Sequence, residues 1–264
     1  MVVYAGQGDA RRSMSLLWRT AETGPEPRPG PRPGLTVDAI VAAAVAVADE
    51  HGMAALSMRA VGERLGRTAM ALYTYVPSKA ELIDLMYDEV LGELPGDYPA
   101  EGGWRSALTA WAHDLRAFYL RHPWVLQVSQ ARPVLGPNEF TMLETLLRIV
   151  RDTGLERSVL RGVVGAVSQF VRGMAAVIAD ARQAARETGM SDEEWWFTRS
   201  PLLEEYSERF AERFPLSTWL GEEGPPPVDD ECVPYLERDA AWNFAVGLGV
   251  LLDGVEATIA RTVG

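Results

Sequence analysis

Apolar residues recur at spacings of three and four along most of this chain, and nowhere do they alternate with polar ones as in a half-buried strand. The pattern predicts an all-α protein. Thr36 caps a helix running to about His51 and closed by Gly52, with Ile40, Ala43, Ala44, Val47 and Ala48 on one stripe. Ser57 caps a shorter helix whose Val61 and Leu65 share the inner face, and Gly66 suits its left-handed end. Thr68 then caps a second short helix, Ala69 to Tyr75, with Leu72 and Val76 as its inward pair. Pro77 cannot continue that helix. Ser78 and Glu81 form a capping box for the next one, which turns Leu82, Leu85, Met86 and Val90 inward. Two short helices joined by a glycine turn and braced by neighbours make a helix-turn-helix unit, the frame of a major-groove reader.

The remainder also reads as helix: 104–121, a short piece at 123–130, 139–152, a long helix at 156–187 and a last one at 237–262. Residues 190–215 are acidic and aromatic, and 216–232, with three successive prolines, read as loop. Ahead of the first helix, residues 1–34 read as an extension that buries little, with Leu16-Leu17-Trp18 able to dock locally on the head. Its GPEPRPGPRPG run is polyproline-like and carries Arg28 and Arg32, suited either to an arm on DNA phosphates or the minor groove, or to a disordered tail. The domain scheme is therefore 1–34 arm, 35–94 DNA-binding domain and 95–264 ligand-binding and dimerisation domain.

The net charge of −12 is unevenly placed. Residues 95–264 hold 16 basic against 25 acidic residues, whereas 28–79 hold six against four. With charges screened beyond about 8 Å at physiological salt, the distant acid does not prevent the mildly basic head from meeting phosphates. One cysteine, Cys232, precludes an intramolecular disulfide framework and fits a reducing cytoplasm. The longest uncharged apolar run, Ala240 to Leu252, is too short to span a bilayer. Arg11-Arg12 lacks a following apolar region, so export is not expected and the cytoplasm is.

The second short helix leaves Thr68, Ala69, Met70, Tyr73 and Thr74 facing outward, a set with no acid. Small groups allow close approach to a groove floor, methyls meet thymine methyls, and hydroxyls suit phosphate oxygens. Arg59, Arg64, Arg67 and Lys79 surround the unit. Residues 35–91 resemble the amino-terminal domain of the TetR family of bacterial repressors, through HGMAALSMRAVGERLG and TAMALYTYVPSKAELIDLM. Leu72, Tyr73, Val76, Lys79 and Leu82 fit the pattern LY-two residues-V-two residues-K-x-x-L. The resemblance implies that Arg59, Tyr73, Thr74, Tyr75 and Lys79 lie at or near double-stranded DNA and implies nothing about the operator's sequence; the two heads of a homodimer would read half-sites of a palindromic operator. Ala69 and Met70 stand where relatives often carry larger polar base readers, which implies sparse direct readout.

Two helices look like partners for a second copy. Gly162, Gly165, Gly173, Ala176 and Ala179 punctuate the long one, and Ala245, Gly247, Gly249 and Gly254 the last, beside Trp242 and Phe244. Glycine costs about 1 kcal/mol against alanine inside a helix, so such a run signals close approach of backbones, between subunits or within one. The TMLETLLRIVRDTG and GLGVLLDGVEATI runs resemble the carboxy-terminal domain of tetracycline-repressor-like members. The resemblance implies a four-helix homodimer seam built on Gly165, Gly173, Trp242 and Gly249.

An input site is expected where aromatics gather: Trp104, Trp111, Phe118 and Trp124, followed by Met142 and Met174, with Arg116, Gln127, Gln169 and Asp180 as polar groups able to orient a small-molecule effector. Ordinary core is the alternative for each. His51, His113 and His122 make no metal-ligand spacing, no cofactor motif is present, and no catalytic residues stand out. In an ungapped comparison the metal-ligating histidine of tetracycline repressors falls on Gln130, which argues against a tetracycline–magnesium inducer. The reading is a ligand-responsive repressor rather than an enzyme. A helical enzyme using Glu193 and Glu194, or a protein-binding module with a degenerate head, are the two alternatives.

Overall fold

The computed structural model describes residues 3–19, 34–99, 101–207, 209–222 and 234–263. It is helical almost throughout and divides into two compact units, Met1–Thr153 and Gly154–Gly264. This division follows packing and is a different quantity from a division by function.

In the first unit, α2 (Val37–His51), α3 (Met58–Leu65), α4 (Ala69–Tyr73) and α5 (Lys79–Leu91) form the head, preceded by α1 (Ala10–Leu17). The caps read from the sequence are in place. Thr36 Oγ1 accepts from Ala39 N at 3.1 Å and Ser57 Oγ from Ala60 N at 3.1 Å, and Gly66 ends α3 at φ +63°. Beyond the head, α6 (Gly103–Arg121) runs into a 3-10 turn, Pro123–Gln127, and α7 (Pro137–Val150) into another, Arg151–Thr153. Ile40, Val61, Leu72, Val76, Leu82 and Met86 close the head core, and Leu108, Trp111, Leu115 and Leu146 the core of α6 and α7.

Two expectations need correction. A strand pair exists: β1 (Val3–Tyr4) lies parallel to β2 (Val128–Ser129), pairing Val3 with Val128 and Tyr4 with Ser129. Two residues are too few to show alternation. The amino-terminal extension is also no free tail over residues 3–19. Ala5, Leu16 and Leu17 are buried, Asp9 caps α1 by accepting from Arg12 N at 2.8 Å, and α1 packs on α5.

The second unit is built on α8 (Arg157–Thr188) and α13 (Tyr235–Val263), which pack together through Val167, Val171, Phe244 and Leu248. Phe170 stacks on Phe244 with centroids 5.7 Å apart, and a Cβ on Gly247 would meet the Phe170 ring at 2.8 Å. Among the described residues, Gly247 is thus the one glycine inside α8 or α13 that a contact within the chain explains. Between them lie α9 (Asp192–Arg199), α10 (Leu202–Tyr206), α11 (Phe210–Arg213) and α12 (Pro215–Glu222). The last replaces the start of the loop expected from residue 216. The helices 157–188 and 236–262 are long and apolar enough to cross a membrane by length and composition, with 22% of each apolar window buried.

Candidate nucleic-acid interface and effector cavity

The geometry of the reader follows from three small features. Gly62 faces the turn, and a Cβ there would lie 2.7 Å from the Arg67 carbonyl oxygen, so α3 and the turn can close only over glycine. Thr68 Oγ1 caps α4 by accepting from Ala71 N at 3.3 Å. Leu72 and Val76, both fully buried, then fasten the helix to the core. What remains outward is the set read from the sequence: Met70 is 75% exposed, Tyr73 41%, and Thr68 and Thr74 are exposed, with Ala69 and Tyr75 half-buried beside them. The helix ends at Tyr73, two residues short of the expected Tyr75, where Tyr75 and Val76 turn back onto the Leu72 carbonyl.

The cations around this face are not equivalent. Arg59 Nε donates to Glu63 at 2.8 Å, and Arg64 makes a two-pronged pair with Glu50 at 2.7 Å. Both pairs are exposed and therefore weak, so a phosphate can compete for either guanidinium. Among the described residues Arg67 and Lys79 carry no ion pair. Lys79, the only lysine in the chain, opens α5 directly after its Ser78 cap. Arg28 and Arg32 lie outside the described residues.

Among the described residues, two cavities open in the first unit. One, of about 340 Å³, is lined by Trp104, Ala107, Tyr98, Thr145, Arg148 and Ile149, with Asp97, Gly103 and the 3-10 turn Arg151–Thr153 completing it. Its Tyr98 hydroxyl donates to Asp114 Oδ2 at 2.9 Å, and burial together with that carboxylate pushes the phenol pKa up. A second, of about 190 Å³, is lined by Trp111, Met142, Thr141 and the 91–96 loop. Thr145 borders both.

Only some of the aromatics expected at a pocket line these cavities. Trp104, Trp111 and Met142 do. Phe118 and Trp124 do not: both are fully buried around His122, with ring centroids 5.5 and 6.4 Å from the imidazole. Helical spacing places a side chain inward but does not distinguish a cavity wall from solid core. Gln127 is half-buried on the 3-10 turn. In the second unit, Gln169 and Asp180 are exposed on α8 and Met174 is half-buried, and none lines either cavity.

Sequence reasoning missed a buried polar junction. His122 Nδ1 lies 2.9 Å from Asp49 at the end of α2, and its Nε2 lies 3.1 Å from Glu93. Trp124 Nε1 donates to Asp49 at 2.8 Å, and Arg121 Nη2 donates to Glu93 at 2.7 Å. Burial alone would lower the His122 pKa, but the Asp49 and Glu93 carboxylates outweigh it and hold the imidazole above its ordinary value. The signal lay in LRHPW, a histidine at a helix end between two aromatics, but its partner Asp49 is 73 residues away in the chain.

Comparison with known proteins agrees with this geometry. Residues 40–86 match the family described as bacterial regulatory proteins, tetR family, and residues 95–259 match the tetracyclin repressor-like C-terminal domain. The chain belongs to the TetR family. It is therefore a DNA-binding transcriptional regulator. The HTH-type transcriptional repressor DrrR1 of Streptomyces coeruleorubidus is 40% identical over 98% of this chain and 90% of its own. An HTH-type transcriptional regulator of Saccharopolyspora erythraea is 36% identical over 56% of this chain and 63% of its own. Among solved structures, ActR of Streptomyces coelicolor in complex with actinorhodin superposes with a TM-score of 0.69 at 26% identity, covering 86% of this chain and 98% of that one. ActR in complex with (S)-DNPA gives 0.65 at 26%, covering 85% and 98%.

Proposed function

We propose that this TetR-family chain is a homodimeric, cytoplasmic repressor that a small molecule releases from a palindromic operator. The observation that carries the DNA reading is the acid-free outward face of α4, held by two fully buried anchors. Residues 35–94 serve as the reading head and 95–264 as the sensing and dimerising part. The head contacts DNA through Arg59, Thr68, Ala69, Met70, Tyr73, Thr74, Tyr75 and Lys79. The chain does this work by binding and carries out no catalysis.

The dimer reading rests on α8 and α13. A Cβ added to Gly165, Gly173 or Gly249 meets nothing within 4 Å, so close packing inside one chain does not account for these glycines. Trp242, Val246 and Val250 are exposed on α13, at 48%, 46% and 66%. A four-helix seam with a second copy gives both features a reason, and it covers the apolar lengths that would otherwise suit a bilayer. The chain should therefore sediment as a dimer without detergent.

ActR, solved with (S)-DNPA and with actinorhodin, supports a small-molecule input. We place the effector in the cavity walled by Trp104, Ala107 and Thr145, whose volume of about 340 Å³ is sufficient for a compact ligand. Turning a mostly bound dimer into a mostly free one takes about 5 kcal/mol of differential affinity, which calls for an enclosed contact rather than a surface ion pair. The test has two arms. DNA selected from a randomised pool by the full chain should lose affinity on Tyr73→Ala with the fold intact, and unchanged affinity would remove α4 from the interface. Ala107→Trp, which fills the cavity, should blunt release by inducer while sparing DNA binding; an unaltered response would place the effector elsewhere.

A further inference from the structure

Residues 3–19 lie outside both family matches, yet they touch α2, α5, α7 and β2 of the first unit. β1 pairs with β2 beyond α6. Gly6 N donates to both carboxylate oxygens of Asp84 on α5, at 3.2 and 3.1 Å. A Cβ on Gly8 would overlap the Glu81 carboxylate, so the segment crosses α5 where only a glycine passes. Leu16 and Leu17 are buried, with α1 packed on α5. Trp18 Nε1 donates to the Leu135 carbonyl at 3.0 Å, and its ring lies 6.3 Å from that of Phe140 on α7. Arg19 then pairs with Asp38 on α2 at 2.7 Å and approaches Glu89 on α5 at 3.6 Å. One short segment thus joins the first head helix, the connector helix, α7 and β2.

The chemistry under this segment differs from ordinary core. Glu81, Asp84 and Asp88 lie along one face of α5, and all three are buried. Asp88 is satisfied by α7, accepting from Asn138 N and Glu139 N at 3.0 and 2.9 Å. Asp84 accepts from the amino-terminal segment. A carboxylate whose cover lifts away regains water, whereas an apolar residue there would seal the cover permanently. The acidic face therefore suits a cover that holds α5 in one pose without being fixed to it.

We propose that residues 3–19 form a splint that fixes the pose of the DNA head against α7 and β2, and thereby sets the half-site spacing that the dimer accepts. This rests on the reading of the chain as a dimeric DNA binder. A dimer reads two half-sites about one helical turn or a multiple of it apart, so the rigidity of each head on its support determines how sharply a wrong spacing is rejected.

The experiment uses the full chain, a palindromic duplex selected from a randomised pool, and the same duplex with its spacer changed by one base pair either way. Gly8→Leu displaces the splint from Glu81. Trp18→Ala, at a half-exposed position, removes the contacts to Leu135 and Phe140 without disturbing Gly8, so it keeps the test open if the first variant folds poorly. Both variants should lose discrimination between spacings by about fivefold or more, the low end of a typical coupling between sites, while losing less affinity for the optimal duplex. A lowered melting temperature with an unchanged spacing profile in both variants would make the segment merely structural and overturn the proposal. Failure of the wild-type chain to select any duplex would instead overturn the DNA-binding reading beneath it, and the splint with it.

Discussion

Leu16 and Val250 are both apolar helix residues, but the first is 2% exposed and the second 66%. They typify their units. In the first unit, apolar stripes close on one another, and even carboxylates are buried with partners, as at Asp84 and Asp88. In the second unit, α8 and α13 meet along one face and leave another open. Trp195, Trp196, Phe197, Trp219 and Leu220 stand exposed on the intervening helices. The difference teaches that the first unit is built to hold a pose on its own, whereas the second leaves a large apolar surface exposed.

The largest effects should come from attacking the closed core. Leu16→Ala should destabilise the first unit by about 2–5 kcal/mol, as for other buried leucines, read as a lower melting temperature. For the same reason deletion of residues 1–19 should lower it, contrary to the expectation that this stretch buries little. Val250→Ala, cut from an exposed site, should leave monomer stability nearly unchanged and register only in dimer dissociation.

Next come Gly165→Leu and Gly249→Leu. In an isolated chain each replaces glycine with a better helix former in open space and should stabilise by about 1 kcal/mol. In a dimer seam each overpacks, costing about 1–3 kcal/mol and weakening association by about 10- to 100-fold. The sign decides between them, and analytical ultracentrifugation reads it.

A smaller effect belongs to Asp84. Burial, with the nearby Glu81 and Glu139 charges, raises its pKa from the ordinary 3.8 to about 6, against the opposing pull of the Gly6 N–H. The folded protein therefore holds this proton more tightly than the unfolded chain. Stability from this group is full below about pH 3.8 and is lost as pH rises through 6, by at most about 3 kcal/mol. Asp84→Asn should remove that loss, so the variant gains on the wild type between pH 4 and 7 in denaturant melts. The smallest effect is electrostatic: Lys79→Ala should flatten the salt dependence of DNA binding by about one unit of slope, if it neutralises one phosphate.

The reading head was legible because its signals are local. Ser57, Gly66, Thr68 and Ser78 each fix a helix end within three residues, and the inward pair Leu72 and Val76 follows from helical spacing alone. The long helices were legible for the same reason, to within two residues at each end. What escaped depends on distant partners. β1 is meaningful only against Val128, Asp84 only against Gly6, and His122 only against Asp49. Of the aromatics and methionines expected at a pocket, Trp104, Trp111 and Met142 border cavities, whereas Phe118 and Trp124 have the same periodicity but pack around a histidine that spacing could not pair.

Lys79 offers the most direct test of the central claim that α4 and the start of α5 face DNA. It carries the chain's only side-chain amine, so reductive methylation reports on this position and the terminal amine alone. With a selected duplex at saturation, the account predicts that Lys79 is protected from methylation and that added effector restores its reactivity. Reaction at the same rate with and without saturating DNA would contradict it.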